Sequence, residues 1–167
     1  MTLSRRTAFV FECAMAVSIA AALASAVGST YYNHGKPVAL TDSYACTEDD
    51  ILNDGKLVTV VAFSNGPMDK AALKAASDPC RELTHQVGTA FTTLVELKIK
   101  YDGTAYNVQV FDADGTHSRN DAANLKLTKN DGKRIEGTYA TRNASAKSSP
   151  NTEAFDLMFA LDVAPSK

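Results

Sequence analysis

The residues best suited to chemistry lie together in one polar stretch, residues 111–121. It carries carboxylates at Asp112, Asp114 and Asp121, a glycine directly after Asp114, and an imidazole at His117. Carboxylates at alternate positions, a glycine for a sharp turn and a further acid are what a hard cation such as Ca²⁺ requires. The stretch therefore raises the hypothesis of a calcium site on Asp112, Asp114 and Asp121.

The register of a calcium loop fits this stretch only in part. When Asp112 and Asp114 take its third and fifth places, the first place falls on Val110, an apolar strand residue. The last falls on Asp121, whose side chain is shorter than the usual glutamate. We favour the alternative, a polar hairpin loop whose Asp side chains bond their own backbone. Asp112, Asp114, His117 and Asp121 then form a loop binding site without a metal.

No catalytic motif is present in the sequence. The histidines, His34, His85 and His117, are dispersed, so a catalytic triad would have to be assembled by folding. The nucleophile elbow, the zinc-protease motif and the phosphate-binding loop are all absent as written. We therefore expect a non-enzymatic protein without a cofactor. The alternative is an enzyme whose site is assembled around His117 with Asp112 or Asp121.

The N-terminus has the three parts of a secretory signal peptide. Arg5 and Arg6 are followed by an alanine-rich apolar run, and Ala24-Ser25-Ala26 offers a small-residue cleavage site. The apolar run is too short to span a bilayer and follows Glu12. We expect residues 1–26 to be removed, which leaves residues 27–167 as a single β-domain with no transmembrane anchor. The predicted location is periplasmic or secreted.

Loss of the signal peptide changes the cysteine count from three to two. Cys46 and Cys80 remain, and an even pair in an oxidising compartment is most simply a disulfide. A redox or metal-binding pair would be closely spaced, as in C-x-x-C, and these two residues are not. A structural disulfide is therefore predicted.

The charge balance disfavours nucleic acid as a partner. The chain has 17 basic and 19 acidic residues, a formal net charge of -2, and so no general basic surface. The acidic run at residues 47–50 is interpreted as a solvated loop, although it could also recognise a basic partner. The expected partner is a protein or a component of the cell envelope.

Alternation of apolar and polar residues dominates the sequence and predicts strands. It is clearest where Phe155, Leu157 and Phe159 alternate with Asp156 and Met158. The same pattern predicts further strands near residues 38–46, 95–101, 106–110, 125–127 and 135–139, and an apolar run at 57–63 predicts a buried one. Asp-Gly turns at residues 102–103, 114–115 and 131–132 suit tight antiparallel connections.

One segment breaks the strand pattern. Asp69 can cap a short helix that ends near Ala76, and a further helical turn can follow Pro79. The predicted fold is therefore all-β and mainly antiparallel: a β-sandwich or small meander barrel of about seven strands with one short helical insert at about 68–88. A long polar hairpin loop is predicted at residues 143–152.

This architecture favours an exported, non-enzymatic β-domain that binds a protein or cell-envelope partner. One concrete version is an inhibitor or immunity protein against a secreted hydrolase, which needs a rigid scaffold and a protruding loop. The secreted enzyme around His117 is the alternative. A structural subunit is a third, with residues 30–44 as the only candidate donor strand.

Overall fold

The computed structural model describes residues 28–50, 55–119 and 124–165. These residues contain ten strands and two α-helices. The strands are β1 (Ser29–Asn33), β2 (Lys36–Leu40), β3 (Asp42–Asp49), β4 (Leu57–Ser64), β5 (Leu94–Ile99), β6 (Ala105–Asp112), β7 (Gly115–Arg119), β8 (Leu125–Asn130), β9 (Arg134–Ala140) and β10 (Ala154–Ala164). The helices are α1 (Lys70–Ala75) and α2 (Pro79–His85), and a 3-10 helix covers Ala144–Ser148. The predicted signal peptide lies outside the described residues.

The strands form one mixed, mostly antiparallel sheet that is organised around β10. One edge of β10 pairs with β9, from Asp156 to Asp162. Its other edge pairs first with β1, at Phe155, and then in parallel with β3, at Val163 and Ala164. Strand β10 thus joins a front half-sheet (β2, β1, β10, β9, β8) to a rear half-sheet (β3, β4, β5, β6, β7).

The two half-sheets pack against each other through their apolar faces. Phe63 of the rear half-sheet meets Phe159 of the front half-sheet edge to face, with ring centroids 6.3 Å apart. The core between them includes Tyr31, Val61, Phe63, Val95, Leu97, Ile99, Val108, Val110, Ile135, Tyr139, Phe155, Leu157 and Phe159. Alternation along each strand places these side chains on one face, as in a β-sandwich. The all-β prediction is confirmed.

The helical insert covers the outer face of the rear half-sheet. Leu73 of α1 and Leu83 of α2 pack on Val60, Ala62 and Leu94 and form a second apolar core. The predicted cap is present, because the Asp69 side chain accepts hydrogen bonds from the Ala71 and Ala72 amides. Pro79 begins α2, where its missing N–H costs nothing. The insert is confirmed, and it contains two helices.

A disulfide joins this insert to the sheet. Cys46 of β3 is bonded to Cys80 of α2, with the two Cα atoms 5.8 Å apart, as predicted. Neither helix in the described part of the chain has the length or apolar composition to cross a bilayer.

The predicted single strand at residues 38–46 is wrong. Two strands, β2 and β3, replace it, because Leu40 pairs with Ser29 of β1 whereas Asp42 pairs with Ser64 of β4. Residues 30–44, the candidate donor strand, therefore already pair within the chain's own sheet. Together with β1 and β7, this division raises the strand count from about seven to ten in the described residues.

Two predicted loops are largely strand. The acidic run at residues 47–50 continues β3, where Glu48 pairs with Val58 and Asp50 is buried. The charges of this run would favour exposure to solvent. The run is nevertheless part of the sheet, because its backbone pairs with β4 and Glu48 forms a 2.7 Å ion pair with Lys98. In the stretch at residues 111–121, only a tight turn separates β6 from β7.

Candidate functional site

Segments far apart in the sequence meet at one end of the sandwich. The Asn33 Nδ2 atom, where β1 turns into β2, lies 3.3 Å from both Asp112 Oδ2 and Asp114 Oδ2 in the β6–β7 turn. Glu153, just before β10, reaches the same place through Tyr31. We call this the loop end, and it comprises Tyr31, Asn33, Asp112, Asp114, His117, Arg119 and Glu153.

Local turn chemistry sets the position of each segment. His34 and Gly35 both have positive φ, 49° and 78°, as a two-residue turn between antiparallel strands requires. In the other turn, Asp112 Oδ1 accepts a hydrogen bond from the Asp114 amide at 2.9 Å, and Gly115 supplies a further positive φ. A side chain at position 35 would approach the Ser148 carbonyl oxygen to 3.0 Å, so glycine also allows close packing there.

His117 and Asp112, two residues of the enzyme hypothesis, are neighbours in the structure. His117 lies on β7 opposite Val110, and its Nε2 atom is 3.6 Å from Asp112 Oδ1. The aspartate side chain is only 6% exposed, whereas the imidazole is 38% exposed. A general base and its orienting acid are joined by a hydrogen bond, and at 3.6 Å this pair is just beyond that distance.

Glu153 is the second nearly buried acid of the loop end. It accepts a 2.6 Å hydrogen bond from the Tyr31 hydroxyl and lies 3.3 Å from the Arg119 Nε atom. Tyr31 is fully buried, and this burial, with the neighbouring Glu153 and Asp112 carboxylates, raises the pKa of its hydroxyl. The tyrosine therefore stays a neutral hydrogen-bond donor.

The loop end thus combines two nearly buried acids and the exposed acid Asp114 with two exposed nitrogen groups. Asp112 and Glu153 are close to buried, while His117 and Arg119 project at the surface, with 38% and 45% of their side chains exposed. Each of these two side chains lies beside one of the acids, His117 at 3.6 Å from Asp112 and Arg119 at 3.3 Å from Glu153. The arrangement can present an imidazole and a guanidinium to hydrogen-bond-accepting groups.

Three of the predicted site residues meet here: Asp112, Asp114 and His117. The fourth, Asp121, lies outside the described residues, so the three-carboxylate calcium site stays a prediction. Among the described residues, no group of three or more His, Cys, Asp and Glu side chains has metal-binding geometry. Asp112 and Asp114 instead share the Asn33 amide.

Four members of the loop end were missed by sequence reasoning: Tyr31, Asn33, Arg119 and Glu153. They come from three separate parts of the chain, and no local motif links them. The one signal in the sequence is the pair of neighbouring tyrosines Tyr31-Tyr32. Tyr31 lies in β1 and is fully buried.

Comparisons with known proteins add no information about the site. No protein-family model, curated protein or solved structure matches the chain.

Proposed function

We propose that the chain is an exported, non-enzymatic binding domain whose partner, a protein or cell-envelope component, docks on the loop end. The observation that carries this proposal is the convergence of the β1–β2 turn, the β6–β7 turn and Glu153 on one surface. Loops positioned by a rigid scaffold are the usual site of recognition in a β-sandwich. The disulfide and the doubly packed rear half-sheet supply the rigidity.

The charge of the loop end indicates what the partner offers. His117 and Arg119 are exposed beside nearly buried acids, so hydrogen-bond acceptors of the partner would meet them, and its donors would meet the exposed Asp114. An inhibitor or immunity protein against a secreted hydrolase is one version of this role, because hydrolase sites frequently contain acids. That version is supported by the build of the scaffold.

The test uses a pair of matched variants. His117→Ala combined with Arg119→Glu alters the loop end, whereas His85→Ala combined with Arg81→Glu makes the same chemical change on α2. Mature wild-type and variant proteins are crosslinked in the compartment that receives them, and the captured partners are identified by mass spectrometry.

The expected result is a partner that the wild type and the α2 variant capture and the loop-end variant does not. A partner retained equally by all three proteins would place recognition elsewhere. Absence of any saturable partner would count against a binding role altogether.

A second candidate function, an enzyme around His117, draws on the 3.6 Å approach of its imidazole to Asp112. Hydrolysis of ester, glycoside and peptide reporter substrates would test it. Activity that is lost in His117→Ala and reduced in Asp112→Asn would support it, and wild-type rates equal to the uncatalysed rates would refute it.

A further inference from the structure

The two methionines among the described residues differ sharply in exposure. Met158 is 58% exposed, whereas Met68 is 5% exposed. The other two methionines of the chain, Met1 and Met15, belong to the predicted signal peptide, outside the described residues. Because an oxidant must reach the thioether sulfur to convert it to a sulfoxide, exposure decides which of these side chains reacts in the folded chain.

Met158 projects from the middle of the central strand. It lies on the outer face of β10, between Leu157 and Phe159, which are both buried in the core. Its partner across the strand pair is Thr138 of β9, which is also exposed, and both residues line a surface pocket of about 330 Å³. The helices α1 and α2 pack on the other half-sheet. The thioether of Met158 is therefore accessible to small oxidants.

The backbone of Met158 is held independently of its side chain. The Ser29 hydroxyl accepts a 3.0 Å hydrogen bond from the Met158 amide and donates one of 3.2 Å to the Met158 carbonyl oxygen. Neither contact involves the sulfur. A sulfoxide oxygen at this exposed position is solvated by water, so oxidation leaves the core and the strand pairing in place.

The sulfur of Met68, in contrast, is enclosed beneath the helical insert. Its side chain packs in the second core with Leu73 and Leu83. The Lys70 Nζ atom lies 3.7 Å from Met68 Sδ and engages a lone pair, the kind of electron pair that attacks an oxidant. A sulfoxide here would also bury a polar group in an apolar core, which is unfavourable. Met68 therefore reacts only when the insert opens.

We propose that Met158 is a reversible oxidation site of the folded protein, where peroxides oxidise the thioether while Met68 stays reduced. The sulfur attacks one peroxide oxygen, so the O–O bond breaks and an S–O bond forms. The sulfur loses two electrons, and hydrogen peroxide is reduced to water. The disulfide of this chain is typical of oxidising compartments, where such oxidants are encountered.

The reverse reaction requires a methionine sulfoxide reductase. Two thiols supply the electrons and become a disulfide, the S–O bond breaks, and the oxygen leaves as water. The exposure that admits the oxidant to Met158 also admits this class of enzyme, so the sulfoxide can be reduced without unfolding.

The test treats the purified, disulfide-bonded protein with dilute hydrogen peroxide, and peptide mass spectrometry follows sulfoxide formation at each methionine over time. Met158→Leu removes the proposed site, and Met68→Leu is the matched variant that removes the protected methionine. Parallel reactions in concentrated urea give the rates of both thioethers in the unfolded chain. Oxidised protein is then melted, and a second portion is treated with the reductases for both sulfoxide epimers.

We expect Met158 to be oxidised about tenfold faster than Met68, or more, in the folded protein, and the two rates to converge in urea. Between residues 28 and 165, Met158→Leu should take up no oxygen over the same period, whereas Met68→Leu should take up one atom. Oxidation of Met158 should shift the melting temperature by about 1 °C at most, and the reductases should restore the thioether.

Equal rates at the two methionines of the folded protein would overturn the proposal. Loss of cooperative melting on oxidation of Met158, or a sulfoxide that the reductases cannot reduce in the folded protein, would overturn it as well. None of these outcomes bears on partner binding at the loop end.

Discussion

Glu96 is a buried acid that lies outside the loop end. It lies on the outer face of β5 and is only 3% exposed. The Lys98 Nζ atom lies 4.0 Å from its carboxylate and is closer to Glu48, at 2.7 Å. Burial raises the pKa of Glu96 from 4.5 to about 7, because Lys98 lowers it less than burial raises it and Glu48 adds repulsion. Glu96 therefore titrates near neutral pH.

This titration makes stability depend on pH. The pKa of Glu96 is higher in the folded chain than in the unfolded chain, so the folded state binds the proton more tightly. The stabilisation that protonated Glu96 contributes is fully present below about pH 4.5. It is lost as the pH rises through about 7, and the total loss is about 3 kcal/mol. Urea unfolding at several pH values should show this fall in wild type and a flatter profile in Glu96→Gln. The same fall in both proteins would contradict the assignment.

At the scale of elements, the helical insert is attached to the sheet by both packing and a covalent bond. Cys46 and Cys80 close a loop with a sequence separation of 34 residues, and both side chains are buried in the second core. Constraining the unfolded chain in this way stabilises the folded state.

Replacing both cysteines, Cys46→Ala with Cys80→Ala, should lower the free energy of unfolding by about 3 to 4 kcal/mol. Denaturant unfolding of the variant, compared with wild type before and after reduction, measures this. Reduction of the wild type should have a similar effect, and it should have none on the variant. Equal stability of oxidised and reduced wild type would show that packing alone holds the insert.

Alternation predicted those elements whose two faces differ. Strands β5, β6, β9 and β10 have one face in the core, so their apolar period of two is visible in the sequence. Strand β7 was not predicted because its core-side face carries His117 and Arg119, which are partly exposed and meet acids instead of apolar side chains. The boundary between β2 and β3 was not predicted, because it depends on which strands pair with each other.

Only part of the candidate site was predictable from the sequence. Asp112, Asp114 and His117 are close in sequence, and their residue types indicated a polar site directly. Tyr31 and Glu153 are 122 residues apart and meet only through the pairing of β1 with β10. Contacts of this kind depend on topology, which the sequence pattern left open between a sandwich and a barrel.

At the scale of the whole molecule, the loop end also closes the sandwich. The Tyr31 hydroxyl connects β1 of the front half-sheet to Glu153, which Arg119 of the rear half-sheet also contacts. Tyr32, the next residue, faces the other way and donates to Asp156 at 3.3 Å in a partly exposed site. The two neighbouring tyrosines therefore provide an internal comparison.

Tyr31→Phe should lower the free energy of unfolding by about 1 to 3 kcal/mol, because it leaves the buried Glu153 without its shortest hydrogen bond. Tyr32→Phe should cost a few tenths of a kcal/mol at most. Chemical denaturation gives both values, and amide hydrogen exchange in β1 should accelerate only in the first variant. If the two variants were equally stable, the Tyr31–Glu153 hydrogen bond would contribute little.

The central position of β10 determines when this fold can be completed. The first described strand, β1, pairs with the last, and the Ser29 hydroxyl contacts the backbone of Met158, 129 residues later. Neither half-sheet has its full set of neighbours until residues 154–164 have been synthesised. Native assembly of this domain therefore requires residues 154–164, and with contacts of such long sequence separation it is expected to be slow.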